Sequence, residues 1–309
     1  MDYNAKIYVA GHKGMVGSAI VRDLKSKGYT RIIGRTSEEL DLTRQEEVEK
    51  FFEMERPEYV FLAAAKVGGI IANSTYPAEF IYKNLMIESN VIHNAYVYHV
   101  KKLLFLGSSC IYPRECQQPI KEEYIMTGPL EQTNEAYAVA KIAGLTLCKF
   151  YRKQYGCDFI SAMPTSLYGE NDNFDLESSH VIPALIRKFH EAKANGAGEV
   201  IIWGTGEPKR EFLHVDDLAD ACVYLMNQYS DERHINIGSG VELTIAELAD
   251  LIKSVVGYDG NIIYDPTKPD GTPRKLLDVS VLKEIGWHHR IKLEEGLNRT
   301  YSWFRATRQ

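Results

Sequence analysis

A glycine-rich loop near the start of the chain constrains the possible folds more than any other stretch. Gly11, Gly14 and Gly17 follow the apolar residues 5–10 and precede a segment, through about residue 27, with helical apolar spacing. This arrangement binds dinucleotides, because the glycines allow a tight turn and let the backbone approach a pyrophosphate. We therefore predict a βαβ unit with a nucleotide cofactor at the N-terminus of its first helix. The predicted contacts in this loop are Gly11, His12, Lys13, Gly14, Met15, Val16 and Gly17.

The first 165 residues alternate between short apolar runs and longer segments with helical periodicity. The strands predicted from these runs lie at residues 31–34, 59–62, 103–106 and 158–163, and the helical patterns at residues 44–55, 77–99 and 137–155. Strands that alternate with helices predict an α/β fold with a doubly wound parallel sheet of the Rossmann type.

The composition changes after Pro164, where loops rich in Asn, Asp and Ser begin. We predict a smaller α/β substrate domain over the carboxyl edge of the sheet, where ligands bind in such folds. The dinucleotide-binding domain is predicted at residues 1–165 plus approximately 212–240, and the substrate domain at approximately 166–211 and 241–309. Further predicted elements are helices at residues 181–194, 211–226, 245–256 and 293–305, and strands at residues 200–203 and 235–238.

Arg35 follows the second predicted strand, where enzymes that use NAD often place an acidic residue for the ribose 2′-hydroxyl. An arginine at this position, with Lys13 in the glycine loop, suits a 2′-phosphate. We therefore predict NADP(H) as the cofactor in preference to NAD.

Tyr137 and Lys141 lie four residues apart in an Ala-rich segment, so a helix places them on one face. A lysine ammonium beside a phenol favours the phenolate, which brings a group of pKa about 10 toward working pH. Ser108 leaves the strand at residues 103–106 and can hydrogen-bond the same reacting oxygen. In isolation the Tyr–Lys pair also fits an ordinary exposed helix; the glycine loop is what favours the catalytic interpretation.

The net charge of −6 argues against a protein that binds nucleic acid through its phosphates. The five cysteines form no C-x-x-C and leave an odd one over, so we expect neither a disulfide framework nor a metal site. The chain starts without a basic, apolar leader and has no apolar run long enough to span a membrane. These features predict a cytoplasmic enzyme with no membrane partner.

Together, the glycine loop, Tyr137-x-x-x-Lys141 and the upstream Ser108 resemble the extended short-chain dehydrogenase/reductases, which act on nucleotide sugars. Longer blocks extend this resemblance over nearly the whole chain, to members that convert GDP-4-keto-6-deoxy-D-mannose to GDP-L-fucose. These blocks are residues 10–19, 63–69, 106–113, 179–184, 210–217 and 268–275.

The resemblance implies an NADPH-dependent 3,5-epimerisation followed by reduction of the C4 ketone. It assigns Ser108, Tyr137 and Lys141 to reduction, with Cys110 as the epimerisation base and His180 as the acid. A thiolate near cationic groups is a suitable base, and both steps share the oxygen at C4. Further implied cofactor contacts are Leu40, Asp41, Ala64, Leu106, Gly107, Lys141, Pro164, Leu167 and His180. Implied contacts to the GDP sugar are Lys188, Trp203, Arg210 and Asp270.

Two residues depart from the family pattern. Ser37 replaces an arginine that often contacts the 2′-phosphate, and Ser166 replaces an asparagine with a longer polar side chain. Two alternative functions stay open: a nucleotide-sugar 4-epimerase or 4,6-dehydratase that recycles its cofactor, and a non-catalytic NADP-sensing protein. The latter requires a degraded Ser–Tyr–Lys triad, whereas this one is intact.

The long helices predicted near residues 77–99 and 133–155 are candidates for a homodimer interface. Tyr82, Met86 and Tyr96 lie at helical spacing and could face outward. The alternative is that the same apolar stripe packs into the core.

Overall fold

The computed structural model describes residues 1–176, 178–268 and 270–307. Its strands, in chain order, are β1 (Ile7–Ala10), β2 (Ile32–Ile33), β3 (Tyr59–Leu62), β4 (Lys102–Leu106), β5 (Phe159–Pro164), β6 (Ser166–Tyr168), β7 (Glu199–Trp203), β8 (Lys209–His214), β9 (Ile235–Ile237), β10 (Glu242–Thr244), β11 (Asn261–Asp265) and β12 (Arg274–Lys275). Its helices are α1 (Met15–Ser26), α2 (Gln45–Glu55), α3 (Ile70–Thr75), α4 (Pro77–Val97), α5 (Glu135–Tyr155), α6 (Val181–Asn195), α7 (Val215–Gln228), α8 (Ile245–Val256), α9 (Ser280–Glu284) and α10 (Leu293–Thr307). Short 3₁₀ helices lie at Ser109–Ile111, Glu122–Tyr124 and Gln132–Asn134.

Six parallel strands form the central sheet in the order β2-β1-β3-β4-β5-β9. Ile7 of β1 lies opposite Ile32 on one side and Tyr59 on the other. The direction in which the chain crosses the sheet therefore reverses between β1 and β3, and such a reversal opens a crevice at the carboxyl ends of the strands. The predicted doubly wound parallel sheet is confirmed.

Helices cover both faces of this sheet because its strands are apolar on both sides. On one face, Ile20 of α1 and Leu218 of α7 pack on Ile7 and Val9. On the other face, α2, α4 and α5 pack on the same strands, in a cluster that includes Phe52. A fully buried side chain of this kind contributes about 1.5–3 kcal/mol, so the two layers fix the strand ends that carry the site.

The remaining strands form two smaller sheets. β8 pairs antiparallel with β10 and parallel with β12 and β6, while β11 pairs parallel with β7. A third hydrophobic cluster, which includes Phe189, Leu248 and Phe304, joins α6, α8 and α10. α8 begins with a capping box in which Thr244 and Glu247 satisfy each other's backbone N–H groups. The predicted boundary near residues 211–212 falls inside β8, and the division into two domains stays a prediction.

The helix predicted at residues 211–226 is wrong at its start. Residues 209–214 form β8, and α7 begins only at Val215, with the His214 ring accepting a hydrogen bond from the Asp216 N–H at 3.2 Å. The buried Glu211 carboxylate accepts the N–H groups of Gly240 at 2.6 Å and Leu277 at 3.1 Å. These contacts between distant segments hold the strand, and local periodicity does not reveal them.

Within the described ranges, no helix is both long and apolar enough to cross a membrane. No cluster of three or more His, Cys, Asp or Glu side chains in the same part of the chain is arranged to hold a metal ion.

Candidate active site

The glycine loop leaves the N-terminus of α1 open. Gly14 is the N-cap, no side chain caps the helix, and its first turn carries no acidic residue. The N–H groups of this turn are therefore available to an anion. A Cβ atom at Gly17 would lie 2.1 Å from the carbonyl oxygen of Gly11, so only glycine lets the helix start this close to the strand. The loop fits a dinucleotide diphosphate.

Arg35 lies just beyond β2, as the sequence predicts, but its guanidinium is already engaged. It forms an ion pair with Glu55 at 2.5 Å and lies over the Phe51 ring, 5.7 Å from the centroid. The His12 ring packs so closely on Gly34 that a Cβ there would lie 2.3 Å from it. A 2′-phosphate at Arg35 would therefore compete with the Glu55 carboxylate.

The other predicted cofactor contacts lie along the same edge. Leu106 and Pro164 end β4 and β5, and Leu167 lies within β6. Gly107 donates its N–H to Ala162 at 2.9 Å. Ala64 lies just beyond β3, with its backbone against Gly11.

Leu40 and Asp41 belong to the loop between β2 and α2. Leu40 is buried in the core, and the Asp41 carboxylate accepts hydrogen bonds from Thr43 N at 2.9 Å and Thr43 Oγ1 at 2.7 Å. Asp41 thus stabilises its own loop. Contact of these two residues with a cofactor stays a prediction.

Ser108, Tyr137 and Lys141, the residues predicted to act in reduction, meet at the carboxyl end of β4. Lys141 donates to the Leu106 carbonyl at 3.1 Å, and its Nζ lies 5.7 Å from the centroid of the Tyr137 ring. Ser108 Oγ accepts a hydrogen bond from the Cys110 N–H at 3.4 Å. One strand end and one helix therefore bring Ser108, Tyr137 and Lys141 together.

The expectation that Lys141 lowers the pKa of Tyr137 toward working pH is wrong for this structure. The ammonium forms an ion pair with Glu88 of α4 at 2.9 Å, and both side chains are buried. Burial, followed by Cys110 and Glu88, raises the pKa of Tyr137 well above its ordinary value. The negative charge of Glu88 thus offsets much of the effect that the Lys141 ammonium would have on the pKa of the phenol.

Cys110 lies buried in the 3₁₀ helix after β4. Burial raises the pKa of its thiol, and the nearby ammonium of Lys275 is the largest opposing influence. The predicted cationic surroundings are therefore present. The effect of these cations on the pKa is smaller than the effect of burial. The protonated thiol is therefore favoured, and the expectation of a ready thiolate is wrong.

His180 is the N-cap of α6 and stays accessible to solvent. Partial desolvation lowers the pKa of its imidazole, and Lys275 lowers it further. The neighbouring segment is anchored to the sheet edge, since Gly69 donates its N–H to the Ser178 carbonyl at 2.9 Å. Cys110 and His180 thus both lie within the electrostatic reach of Lys275.

A small pocket connects Cys110 to Lys275 of β12, and Glu131 and Asn134 also line it. The Asn134 Oδ1 atom is buried and has no hydrogen-bond partner, so it is an acceptor available to a ligand. Sequence reasoning missed Asn134 and Lys275, although Lys275 ends the last resembling block. Glu88 was not predicted either. The one feature of the sequence that points to it is an acidic residue on the apolar face of a long helix.

A second cluster holds the predicted sugar-nucleotide contacts. Trp203 ends β7 and is 47% exposed. The ammonium groups of Lys188 and Lys268 lie 5.6 and 5.4 Å from the centroid of its ring. An exposed aromatic face flanked by two cations suits a base and its phosphates.

Arg210 and Asp270 lie beside each other. Asp270 accepts hydrogen bonds from Thr205 N at 2.7 Å and Thr205 Oγ1 at 2.9 Å, and the Arg210 guanidinium donates to the Asp270 carbonyl at 3.5 Å. The side chain of Asp270 therefore fixes a turn, and the guanidinium is the group of this pair that suits an anion.

This fold and this arrangement of Ser108, Tyr137 and Lys141 define a nucleotide-dependent oxidoreductase. The chain belongs to the NAD dependent epimerase/dehydratase family, whose sequence profile matches residues 7–238. It is 63% identical over 304 residues to the putative GDP-L-fucose synthase 2 of Arabidopsis thaliana, an alignment that covers 98% of this chain and 93% of that protein. It is 56% identical over 308 residues to the GDP-L-fucose synthase of Escherichia coli strain K12, covering 97% and 96% of the two chains.

A solved structure of a GDP-L-fucose synthetase from Naegleria fowleri bound to NADP is also similar. Its TM-score to this chain is 0.93 at 28% identity, and the match covers 100% of this chain and 96% of that one. The family predicted from the sequence motifs is thus confirmed.

Proposed function

We propose that this protein is a GDP-L-fucose synthase, which epimerises C3 and C5 of GDP-4-keto-6-deoxy-D-mannose and then reduces C4 with NADPH to give GDP-L-fucose. The names of its relatives at 63% and 56% identity support this function. The main observation in favour of this function is a second acid–base pair, Cys110 and His180, beside the residues proposed for reduction. The charge of Lys275 lowers the pKa of both members of this pair. A simple ketone reductase has no use for that pair.

The cofactor is NADP(H), as in the similar structure that binds NADP. The open N-terminus of α1 would hold the diphosphate, and Lys13 and Arg35 the 2′-phosphate. When bound, the cofactor supplies the hydride for C4.

The GDP moiety binds at the second cluster. Trp203 stacks on the guanine, while Lys188, Lys268 and Arg210 neutralise the diphosphate. Arg210 and Cys110 both act on the charge of Lys275, so a nucleotide bound at Arg210 would direct its sugar toward Cys110.

Epimerisation depends on the C4 ketone of the substrate. Protons at C3 and C5 are acidic because their removal gives an enolate whose charge rests on the C4 oxygen. Tyr137 and Ser108 donate hydrogen bonds to that oxygen. Cys110 removes each proton from one face, and His180 returns a proton on the other.

Reduction uses the same oxygen. As C4 is reduced, Tyr137 donates its proton to the developing alkoxide. Its raised pKa favours the protonated form that this direction requires.

We also propose that the protein forms a homodimer in the cytoplasm through the outer faces of α4 and α5. Tyr96 and Tyr155 stack at 4.2 Å between ring centroids across this helix pair, and Phe150 is 54% and Tyr82 60% exposed. An exposed aromatic face of this kind is typical of an interface. All five cysteines are free, which fits a reducing compartment.

Phe150→Glu tests the dimer, because it places a charge in the apolar centre of this face. We expect the wild-type protein to elute with a dimer mass in light-scattering chromatography and the variant with a monomer mass. A monomeric wild-type protein at micromolar concentration would contradict the proposal.

The function is tested by incubating the protein with GDP-4-keto-6-deoxy-D-mannose and either NADPH or NADH in deuterated water. We expect stoichiometric oxidation of NADPH and deuterium at C3 and C5 of the product. Absence of NADPH oxidation here, together with conversion of a nucleotide sugar that carries hydroxyls at C4 and C6 without net change in the cofactor, would indicate a 4-epimerase or 4,6-dehydratase. Cofactor binding without turnover would indicate an NADP-sensing protein.

A further inference from the structure

Glu88 is a buried acid that the proposed chemistry does not use. It lies on the inner face of α4, is 1% exposed, and occupies a stripe that otherwise includes Phe80 and Ile92. A carboxylate in such a place needs a strong partner. Its partner is the ammonium of Lys141, which is 2% exposed and lies 2.9 Å away. Among the described residues, no donor makes a hydrogen bond of ordinary geometry to either oxygen, so this ion pair is what compensates the carboxylate.

The packing of α4 on α5 is shaped to admit this carboxylate. Gly144 lies three residues after Lys141 on α5, and a Cβ atom there would lie 2.6 Å from the Glu88 carboxylate and 2.5 Å from the Phe105 ring. The absence of a side chain at this point lets the acid reach the ammonium. The helix tolerates a glycine in its interior although glycine disfavours helix formation.

The contacts of Lys141 fix its position. Its ammonium is paired with Glu88, donates to the Leu106 carbonyl at 3.1 Å and lies 4.9 Å from the centroid of the Phe105 ring. An ammonium has three N–H donors; one is used on the Leu106 carbonyl, and the Glu88 carboxylate pairs with the charge of the group. The group therefore lies one helical turn from Tyr137 with a donor left for a ligand.

We propose that Glu88 is a positioning residue for reduction: it holds Lys141 beside Tyr137 and offsets the lysine charge, so that Tyr137 keeps its proton until the C4 oxygen takes it. This inference rests on the proposed function and adds a residue to it. Glu88 acts through Lys141 and does not itself contact the substrate.

The direction of the effect follows from the charges around Tyr137. Lys141 lies on its own helix, Glu88 on α4, and Cys110 on the segment after β4; Phe80 of α4 adds an uncharged edge-to-face contact. Glu88 raises the pKa of Tyr137, after burial and Cys110. Removing its charge leaves the Lys141 ammonium unopposed, which favours the phenolate.

Glu88→Gln tests the proposal, with Glu88→Asp as the conservative variant. Glu79→Gln is the matched control, because Glu79 is an exposed acid on the same helix that pairs with Lys66 and Lys83. The first measurement needs no substrate: protein labelled with ¹³C at tyrosine Cζ is titrated by NMR, and the Tyr137 resonance is assigned with Tyr137→Phe. The second measurement is the pH dependence of kcat for NADPH oxidation.

In Glu88→Gln, we expect the Tyr137 resonance to titrate about one pH unit or more lower than in the wild type. The decline in kcat at alkaline pH should move to lower pH by the same amount. At a fixed pH on that limb, kcat should fall about tenfold for each pH unit of this movement. The KM for NADPH should change less than kcat, and Glu88→Asp should lie between Glu88→Gln and the wild type. Glu79→Gln should match the wild type.

A Tyr137 resonance that titrates as in the wild type would overturn the inference, as would an unmoved kcat profile. If Glu88→Gln does not fold, Glu88→Asp decides, because its shorter side chain weakens the ion pair and must shift Tyr137 in the same direction. If the wild-type protein does not turn over the 4-keto sugar, the proposed function fails, while the NMR titration still decides the role of Glu88.

Discussion

The two acid–base groups of the site differ in how the structure holds them. The reductase residues lie on one helix and one strand end, and direct contacts connect Lys141 to Leu106 and to Glu88. Cys110 and His180 come from the segment after β4 and the start of α6. No hydrogen bond joins these two in the described part of the structure, and what they share is the field of Lys275 on β12.

This difference predicts different responses to change. A group held by short contacts depends on the individual atoms that make them. The protonation states of a pair such as Cys110 and His180 depend on pH and on the nearby charge of Lys275. Substitutions in the two regions should therefore alter the two steps of the reaction to different extents.

Tyr137→Phe should give the largest effect, because it removes the proton donor for the C4 oxygen. We expect NADPH oxidation with the 4-keto sugar to fall about 10²–10⁴-fold, while NADPH binding, measured by fluorescence titration, is retained. Tyr124→Phe is the control, since its hydroxyl bonds only the side chain of Gln117 among the described contacts of that group. Wild-type oxidation rates in Tyr137→Phe would refute the assigned role.

Cys110→Ser should separate the two steps. A serine hydroxyl loses its proton far less readily than a thiol and so supplies almost no anionic base. Deuterium incorporation at C3 and C5 should therefore fall about 10²-fold. Reduction of a substrate that is already epimerised should persist. NMR analysis of the sugar measures both, and Cys157→Ser, at a partly exposed cysteine, serves as the control. Unchanged deuterium incorporation would rule out Cys110 as the base.

The geometry of the glycine loop and the proximity of Tyr137 to Lys141 could be predicted from the sequence, because their signals are local. The glycine loop, and the spacing of Tyr137 and Lys141, lie within single strand–helix units. The parallel sheet follows from the same alternation of strands and helices. Here the sequence and the structure agree.

What could not be predicted depends on contacts between distant segments. Glu88 meets Lys141 only when α4 packs on α5, and Lys275 meets Cys110 only when β12 pairs with β8. Strand β8 was mistaken for part of a helix for the same reason, since the partners of Glu211 lie on remote loops. The pKa directions of Tyr137 and Cys110 also differ from expectation, because burial has no signature in residue spacing.

Lys275→Met gives the smallest expected effect and the sharpest test of the comparison. In the proposed mechanism, epimerisation needs a deprotonated Cys110 and a protonated His180. Burial raises the pKa of Cys110 and desolvation lowers that of His180, which places the pKa of the base above that of the acid. Between these two pKa values the active fraction is small and constant, because falling pH adds imidazolium as fast as it removes thiolate.

Lys275 lowers both pKa values, so its removal raises both and moves the window of epimerisation to higher pH. We expect a shift of up to about one pH unit, which means exchange up to about tenfold slower on the acid limb and sustained further on the alkaline limb. Deuterium incorporation at C3 and C5 measures it, with the exposed Lys121→Met as the control. The pH profile of NADPH oxidation with an epimerised substrate should stay in place. Glu88→Gln should move that profile and, because Tyr137 also donates to the C4 oxygen during epimerisation, should move the exchange profile by a smaller amount. If either variant moves both profiles by the same amount, the two groups titrate as one network. The distinction between reduction residues held by direct contacts and an epimerisation pair coupled through the charge of Lys275 is then wrong.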